Sequence, residues 1–130
     1  MVKITIPGRP VPKGRPRLGY RGRKAYVYTP QETKDYESIV SFVASAVCRK
    51  PMEGDVEAIL TLYFNPNAKG ITKSGRRQKM TIPDVDNCAK AVLDGLNKVA
   101  FKDDRQVAKL IVERRFDLKE RAEVVLREVR

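Results

Sequence analysis

Val2 to Ile6 alternates apolar and polar residues, the period-two pattern of a strand with one buried face. Gly8 to Arg17 follows, too rich in Pro and Gly for a helix or a central strand. Together with Arg21, Arg23 and Lys24 it reads as a long basic arm, and Ala25 to Tyr28 as a second short strand. Thr29-Pro30-Gln31-Glu32 predicts a helix start, with Thr29 as N-cap, Pro30 at the first helical position and Glu32 completing a capping box. Tyr36, Ile39, Val40, Phe42, Val43, Ala46 and Val47 then recur at helical spacing and predict a core helix. It ends at Arg49-Lys50-Pro51, where bases suit the helix dipole.

Val56 to Phe64 is dense in strand formers and predicts a well-buried strand. Asn65 to Thr81 is a second basic loop. Residues 84–100 read as a helix with Val85, Cys88, Val92, Leu96 and Val99 on one side and Asp86, Asn87, Lys90 and Asp94 on the other. Gln106 to Phe116 and Ala122 to Val129 predict two strands, with Asp117-Leu118-Lys119-Glu120 as a hairpin connection. The order β-β-α-β-α-β-β describes one α/β domain over residues 1–130, a mixed β-sheet with two main helices. The basic arm covers about 8–24 of it and the basic loop about 65–82.

Composition narrows the class. A chain of 130 residues with 42% hydrophobic and 33% charged residues is long enough for one soluble domain and short for two. No apolar run approaches the roughly 18 residues of a membrane span. Met1 to Pro7 lacks the apolar core of a signal peptide, so a cytoplasmic protein is expected. Cys48 and Cys88 form no CxxC pair and read as reduced core thiols. There is no histidine, which excludes Ser-His-Asp triads, histidine zinc sites and an imidazole base. Enzymatic proton chemistry would have to use carboxylates, lysine, tyrosine or metal-bound water.

The net charge of +11 is segregated. Residues 1–31 hold eight bases and residues 58–83 five, with no acid in either stretch, so the remaining 14 bases are outnumbered by the 16 acids. This asymmetry points to a polyanionic partner, most simply nucleic acid. Lys13, Arg15, Arg17, Arg21 and Arg23 in the arm, and Lys73, Arg76, Arg77 and Lys79 in the loop, are the candidate contacts. Tyr20 among the arginines could stack on bases or pack back on the domain. Gly70-Ile71-Thr72-Lys73-Ser74 lacks the first glycine and the Gly-Lys-Ser/Thr order of a phosphate loop, so no nucleotide cofactor is expected.

The acids gather at Pro83-Asp84-Val85-Asp86-Asn87-Cys88-Ala89-Lys90 and at Asp103-Asp104. Asp84 and Asp86 lie roughly 200° apart on a helix. If Asp84 is the N-cap it stands outside helical geometry, and its carboxylate can turn toward Asp86. Lys90 is one turn beyond Asp86. A strand running back beside the helix would return Asp103 or Asp104 to its N-terminus. Three converging carboxylates repel one another, and a hard cation such as Mg²⁺ relieves that repulsion. The plain alternative makes Asp84 a cap, Lys90 and Asp94 an exposed pair and Asp103-Asp104 a turn.

On these residues the sequence resembles the RusA-type Holliday-junction resolvases, found mostly in phages and prophages of bacteria. The resemblance centres on Pro83 to Asn97 with its D-x-D-N-x-x-K core, and continues through Phe101-Lys102-Asp103-Asp104-Arg105-Gln106-Val107. Ile6 to Arg17 and Tyr28-Thr29-Pro30 also fit, so nearly the whole chain is covered. The resemblance implies a homodimeric endonuclease using Mg²⁺ or Mn²⁺ that resolves four-way DNA junctions by paired symmetric nicks in recombination and repair. It maps the metal carboxylates to Asp84, Asp86 and Asp104, with Asp103 a possible neighbour, and the essential lysine to Lys90. Cys88 and Arg105 depart from the usual pattern without touching a proposed ligand. Two other readings stay open at this point: a nuclease selective for other branched or flap DNA, and a DNA-binding module without catalysis.

Overall fold

The computed structural model describes residues 1–129. In chain order the elements are β1 (Val2–Pro7), β2 (Arg17–Arg21), β3 (Lys24–Tyr28), α1 (Gln31–Val47), β4 (Asp55–Phe64), β5 (Lys69–Ile71), β6 (Arg77–Lys79), α2 (Val85–Leu96), β7 (Val107–Phe116) and β8 (Arg121–Val129). A 3-10 turn at Asp104–Gln106 precedes β7. Four strands form a mixed sheet in the order β1-β8-β4-β7, with β7 parallel to β4 and β8 antiparallel to both its neighbours. This is the α/β fold with a mixed sheet and two helices that the hydrophobic pattern predicts.

One face of the sheet is buried by alternation. Ile4 and Ile6, then Ala58, Leu60 and Leu62, then Ala122, Val124 and Leu126, point the same way in register and meet the helices. Tyr36, Val40 and Ala44 of α1 and Cys88, Val92 and Leu96 of α2 close the core. The opposite face has Ile59, Ile111 and Val125 side by side among charged residues, and carries ion pairs such as Arg127 to Glu57 at 3.0 Å and Arg115 to Glu113 at 3.0 Å. The two helices pack tightly at Gly95, where an added Cβ would lie 2.6 Å from the Val40 Cβ and 3.0 Å from the Glu37 carbonyl oxygen. No helix among the described residues is long and apolar enough to cross a membrane.

The structure corrects several sequence expectations. β7 and β8 are not a hairpin, because β4 lies between them. Parallel pairing of β4 with β7 around α2 makes a βαβ unit, and β8 then pairs with the other edge of β4. Residues 117–120 cross the end of β4, about 10 Å for two strand spacings, which four extended residues span. The Asp117 N–H donates to the Phe64 carbonyl at 3.1 Å, and Glu120 accepts from the Asn65 N–H and from Arg9.

Helix α1 begins one residue later than predicted. Pro30 is the N-cap, without a side-chain cap, and the Thr33 hydroxyl instead accepts the Gly14 N–H at 3.0 Å. Its apolar stripe is wider than the surface it covers, so Phe42 is 78% exposed and Ile39 43%. Arg49 and Lys50 fall beyond the C-cap at Cys48 rather than in the last turn. Helix α2 stops at Leu96, because Lys98 turns into the left-handed region (φ +69°) and carries Val99 into the following turn. Both basic segments are more ordered than loops: β2 pairs with β3, and β5 with β6, as two-stranded hairpins apart from the main sheet. Both cysteines are free thiols, and burial pushes that of Cys88 up to about 11.

Candidate active site

Asp84 is the N-cap of α2, in extended geometry (φ −66°, ψ 139°), yet its carboxylate makes no cap hydrogen bond. Asp86 sits in the first turn beside it. Both are exposed, and among the described residues neither side chain has a hydrogen bond or ion pair. The helix N-terminus supplies partial positive charge that favours carboxylates there and offsets part of their mutual repulsion. The capping explanation for Asp84 therefore fails.

The plain explanation for Lys90 fails as well. Asp94, four residues on, is taken by Lys13 at 2.9 Å, and Lys13 also binds Glu37 at 2.7 Å. Burial alone would lower the Lys13 pKa, but the hydrogen bonds to Glu37 and Asp94 outweigh it and raise the value. The Lys13 N–H donates to the Asn87 carbonyl at 2.9 Å, so the arm is clamped across both helices. Lys90 remains exposed, with no ion pair among the described residues.

Two adjoining clefts gather the candidate residues. One of about 490 Å³ is lined by Pro83, Asp84, Asp86, Val112 and Arg114. The other, about 300 Å³, is lined by Asp86, Lys90, Asp94, Asp104, Leu110 and Val112. Asp86 and Val112 belong to both. The parallel register pairs Leu110, Val112 and Arg114 with Ala58, Leu60 and Leu62 of β4, which puts all three on the helix-bearing face. Strand β7 thus runs beside α2 and returns Asp104 to the flank of Asp86 and Lys90. A further groove, about 670 Å³ between Pro7–Pro12 and α1, shares only Pro83 with these clefts and contains none of their acids, nor Lys90 or Arg114.

Asp103 and Asp104 differ in role. Asp103 caps the 3-10 turn, accepting the Arg105 N–H at 2.9 Å and pairing with its guanidinium, so that Arg105, contrary to expectation, touches one of the candidate ligands. These contacts hold the Asp103 carboxyl at about 2, well below the usual range. Gln106 completes the turn: its Oε1 accepts the Asp103 N–H at 2.9 Å, and its Nε2 donates to the carbonyls of Met52 and Gly54. That bracing leaves Asp104 facing the cleft. No group of three or more acidic or cysteine side chains among the described residues is closed enough to hold a metal ion.

Of the candidate nucleic-acid contacts, Lys13 is engaged with carboxylates. Arg15, Arg17, Arg21, Arg23, Lys73, Arg76, Arg77 and Lys79 are all exposed on the arm and the two hairpins. Sequence reasoning missed Arg114 and Gln106. Nothing local marks Arg114, which reaches Asp84 and Asp86 only through the register of β7 on β4. Gln106 had a signal, the Asp103-x-x-Gln106 spacing of a capping box.

The chain is 33% identical over 142 residues to the uncharacterized protein YqaN of Bacillus subtilis (strain 168), covering 98% of this chain and 96% of that one. The profile of the family described as "Endodeoxyribonuclease RusA" matches residues 7–127, a span that takes in the arm, both helices, Asp84, Asp86, Lys90 and Asp104. Enzymes of this kind act on branched DNA junctions and are generally dependent on divalent metal. The chain belongs to the RusA endodeoxyribonuclease family.

Proposed function

We propose that this protein is a Mg²⁺-dependent endonuclease, with Mn²⁺ as substitute, that resolves four-way DNA junctions by paired symmetric nicks as a homodimer. One observation carries the reading. In a chain of net charge +11, Asp84, Asp86 and Lys90 stay without ion pairs among the described residues, around adjoining clefts that also hold Asp104 and Arg114.

The chemistry of the donors suits a hard divalent ion, although they are not drawn together into a metal-holding group among the described residues: Asp84 and Asp86 offer exposed carboxylate oxygens free of hydrogen bonds and ion pairs there, and Asp104 lines the same cleft as Asp86. Asp84, Asp86 and Asp104 would hold it, and when bound it would polarise the scissile phosphate and help ionise the attacking water. Hydrolysis adds that water across one P–O bond. Lys90 then offsets the negative charge that builds on the phosphate oxygens. Arg114, on the other side of Asp86, holds a neighbouring phosphate in the strand being cut. Arg15, Arg17, Arg21 and Arg23, with Lys73, Arg76, Arg77 and Lys79, contact phosphates along the arms, which positions the junction without reading sequence. Lys13 keeps the arm in place instead. Each chain carries one site and resolution needs two nicks, so a twofold pair of chains meets the symmetry of the substrate.

The deciding experiment is cleavage of a synthetic four-way junction, a flap and a linear duplex, with and without Mg²⁺, by wild type and Asp86→Asn. Paired nicks in the junction alone, requiring both metal and Asp86, are expected. Equal or faster cutting of the flap would shift the substrate to other branched DNA. Tight junction binding without cutting in either metal would leave a binding module and refute the catalytic assignment.

A further inference from the structure

The β2–β3 hairpin belongs to no larger sheet, and its two faces differ in a way that phosphate binding does not use. Strand pairing puts Leu18 opposite Val27 and Tyr20 opposite Ala25 on one face, and Gly19 opposite Tyr26 and Arg17 opposite Tyr28 on the other. The Tyr face is filled from within. Tyr26 lies across Gly19, where an added Cβ would be 2.7 Å from the Tyr26 Cζ. Arg21 stacks 5.3 Å above the same ring, and Tyr28 packs 5.7 Å from it. The Leu face is bare: Leu18 is 58% exposed, Tyr20 67% and Val27 69%. A two-stranded hairpin is marginal on its own, and leaving three large apolar side chains in water makes it more so unless something covers them.

The surroundings select what covers them. Arg15 and Arg23 flank the hairpin at its two ends, Arg17, Arg21 and Lys24 project from its other face, and no acid occurs in residues 1–31. A second copy would bring like charges together. A polyanion with apolar faces of its own is the complementary partner, and unstacked bases are such faces. The hairpin is also mounted on the candidate active site. Just ahead of β2, Lys13 is tied to the Asn87 carbonyl and to Asp94, both on the helix that carries Asp86 and Lys90. We propose that the Leu18–Tyr20–Val27 face is a wedge that takes up unstacked bases at the branch point of the DNA substrate. It thereby selects branched over continuous duplex and sets the distance from branch point to cut. This rests on the reading of the protein as a nuclease of branched DNA.

The test uses the intact chain in metal-free buffer, where nothing is cut. Four-way junctions carry 2-aminopurine either at the branch point or in the middle of an arm, beside a linear duplex. Wild type should raise the emission of the branch-point probe and leave the mid-arm probe unchanged. Tyr20→Ser and the triple change L18S/Y20S/V27S should abolish that rise. Their preference for junction over duplex should fall about fivefold or more, from lost stacking, while duplex affinity stays level because every cation is kept. Tyr20→Phe should retain the rise. Equal losses on junction and duplex, or a rise that survives the triple change, would overturn the wedge. So would binding of phosphatidylglycerol vesicles that the triple change abolishes while the probe signal persists, which would give the face to lipid. A junction that is cut by wild type but shows no branch-point signal refutes the wedge alone. A signal without cutting leaves the wedge standing and refutes the nuclease reading.

Discussion

Gly95 is the residue on which the relation of the two helices turns. Its missing side chain lets α2 approach α1 until the Ser41 hydroxyl donates to the Gly95 carbonyl at 2.6 Å. Alanine there would gain about 1 kcal/mol of helix propensity. The new methyl, however, would meet the Val40 Cβ and the Glu37 backbone, which cannot give way as a flexible side chain would. Overpacking of this kind costs about 1–3 kcal/mol, so Gly95→Ala should lower the urea midpoint with an unchanged slope. A midpoint at or above that of wild type would mean that the interface has slack. The same close packing separates what a sequence reveals at this scale from what it hides. Asp84, Asp86 and Lys90 are local and could be read from one helical turn. Lys13 looked like a DNA contact, because its partners Glu37 and Asp94 are brought to it only by the packing of α1 on α2.

Among the elements, the turn before β7 decides whether Asp104 faces the cleft. Gln106 joins this turn to the carbonyls of Met52 and Gly54, which lead into β4. Replacing it with alanine removes three hydrogen bonds, two of them part-buried, while leaving the side chains of Asp103 and Asp104 unaltered. Gln106→Ala should therefore lower kcat more than junction affinity and speed amide exchange at residues 103–107. Unchanged kcat would show that Asp104 needs no such support. Acidity will not mimic this change near neutrality. The Asp103 carboxyl is depressed to about 2 by the Arg105 backbone N–H and guanidinium. Its contribution to the turn is thus present above its unfolded pKa and lost only as pH falls through about 2. At this scale the strands and helices were legible, because each has its own period. The pairing of strands was not: β7 and β8 are separated by four residues yet lie on opposite sides of β4. Arg114 stayed invisible for that reason. The arm and the loop hid their hairpins because Gly and Pro mark turns as readily as disorder; Gly22, at φ +62°, makes the tight turn between β2 and β3.

For the whole molecule the charge separation seen along the chain becomes a separation in space. On the outer face of the sheet Arg127 is paired with Glu57 and Arg115 with Glu113. Apart from Arg9 and Lys13, which are paired, the arm and the two hairpins leave their cations exposed. Both sets are rich in arginine, so composition alone cannot tell them apart, but counterion release can. Each phosphate neutralised contributes about 0.9 to the slope of log affinity against log salt concentration. If Arg15 and Arg17 each meet a phosphate, replacing both with alanine should flatten the slope for a four-way junction by about 1.8. Arg127→Ala removes a charge of the same kind from the paired face and should leave the slope where it was. Fluorescence anisotropy across a salt series reads both. An equal flattening by the two changes would mean that the junction wraps the sheet as well as the helix side, and the division of the surface into a paired face and a DNA face would have to be abandoned.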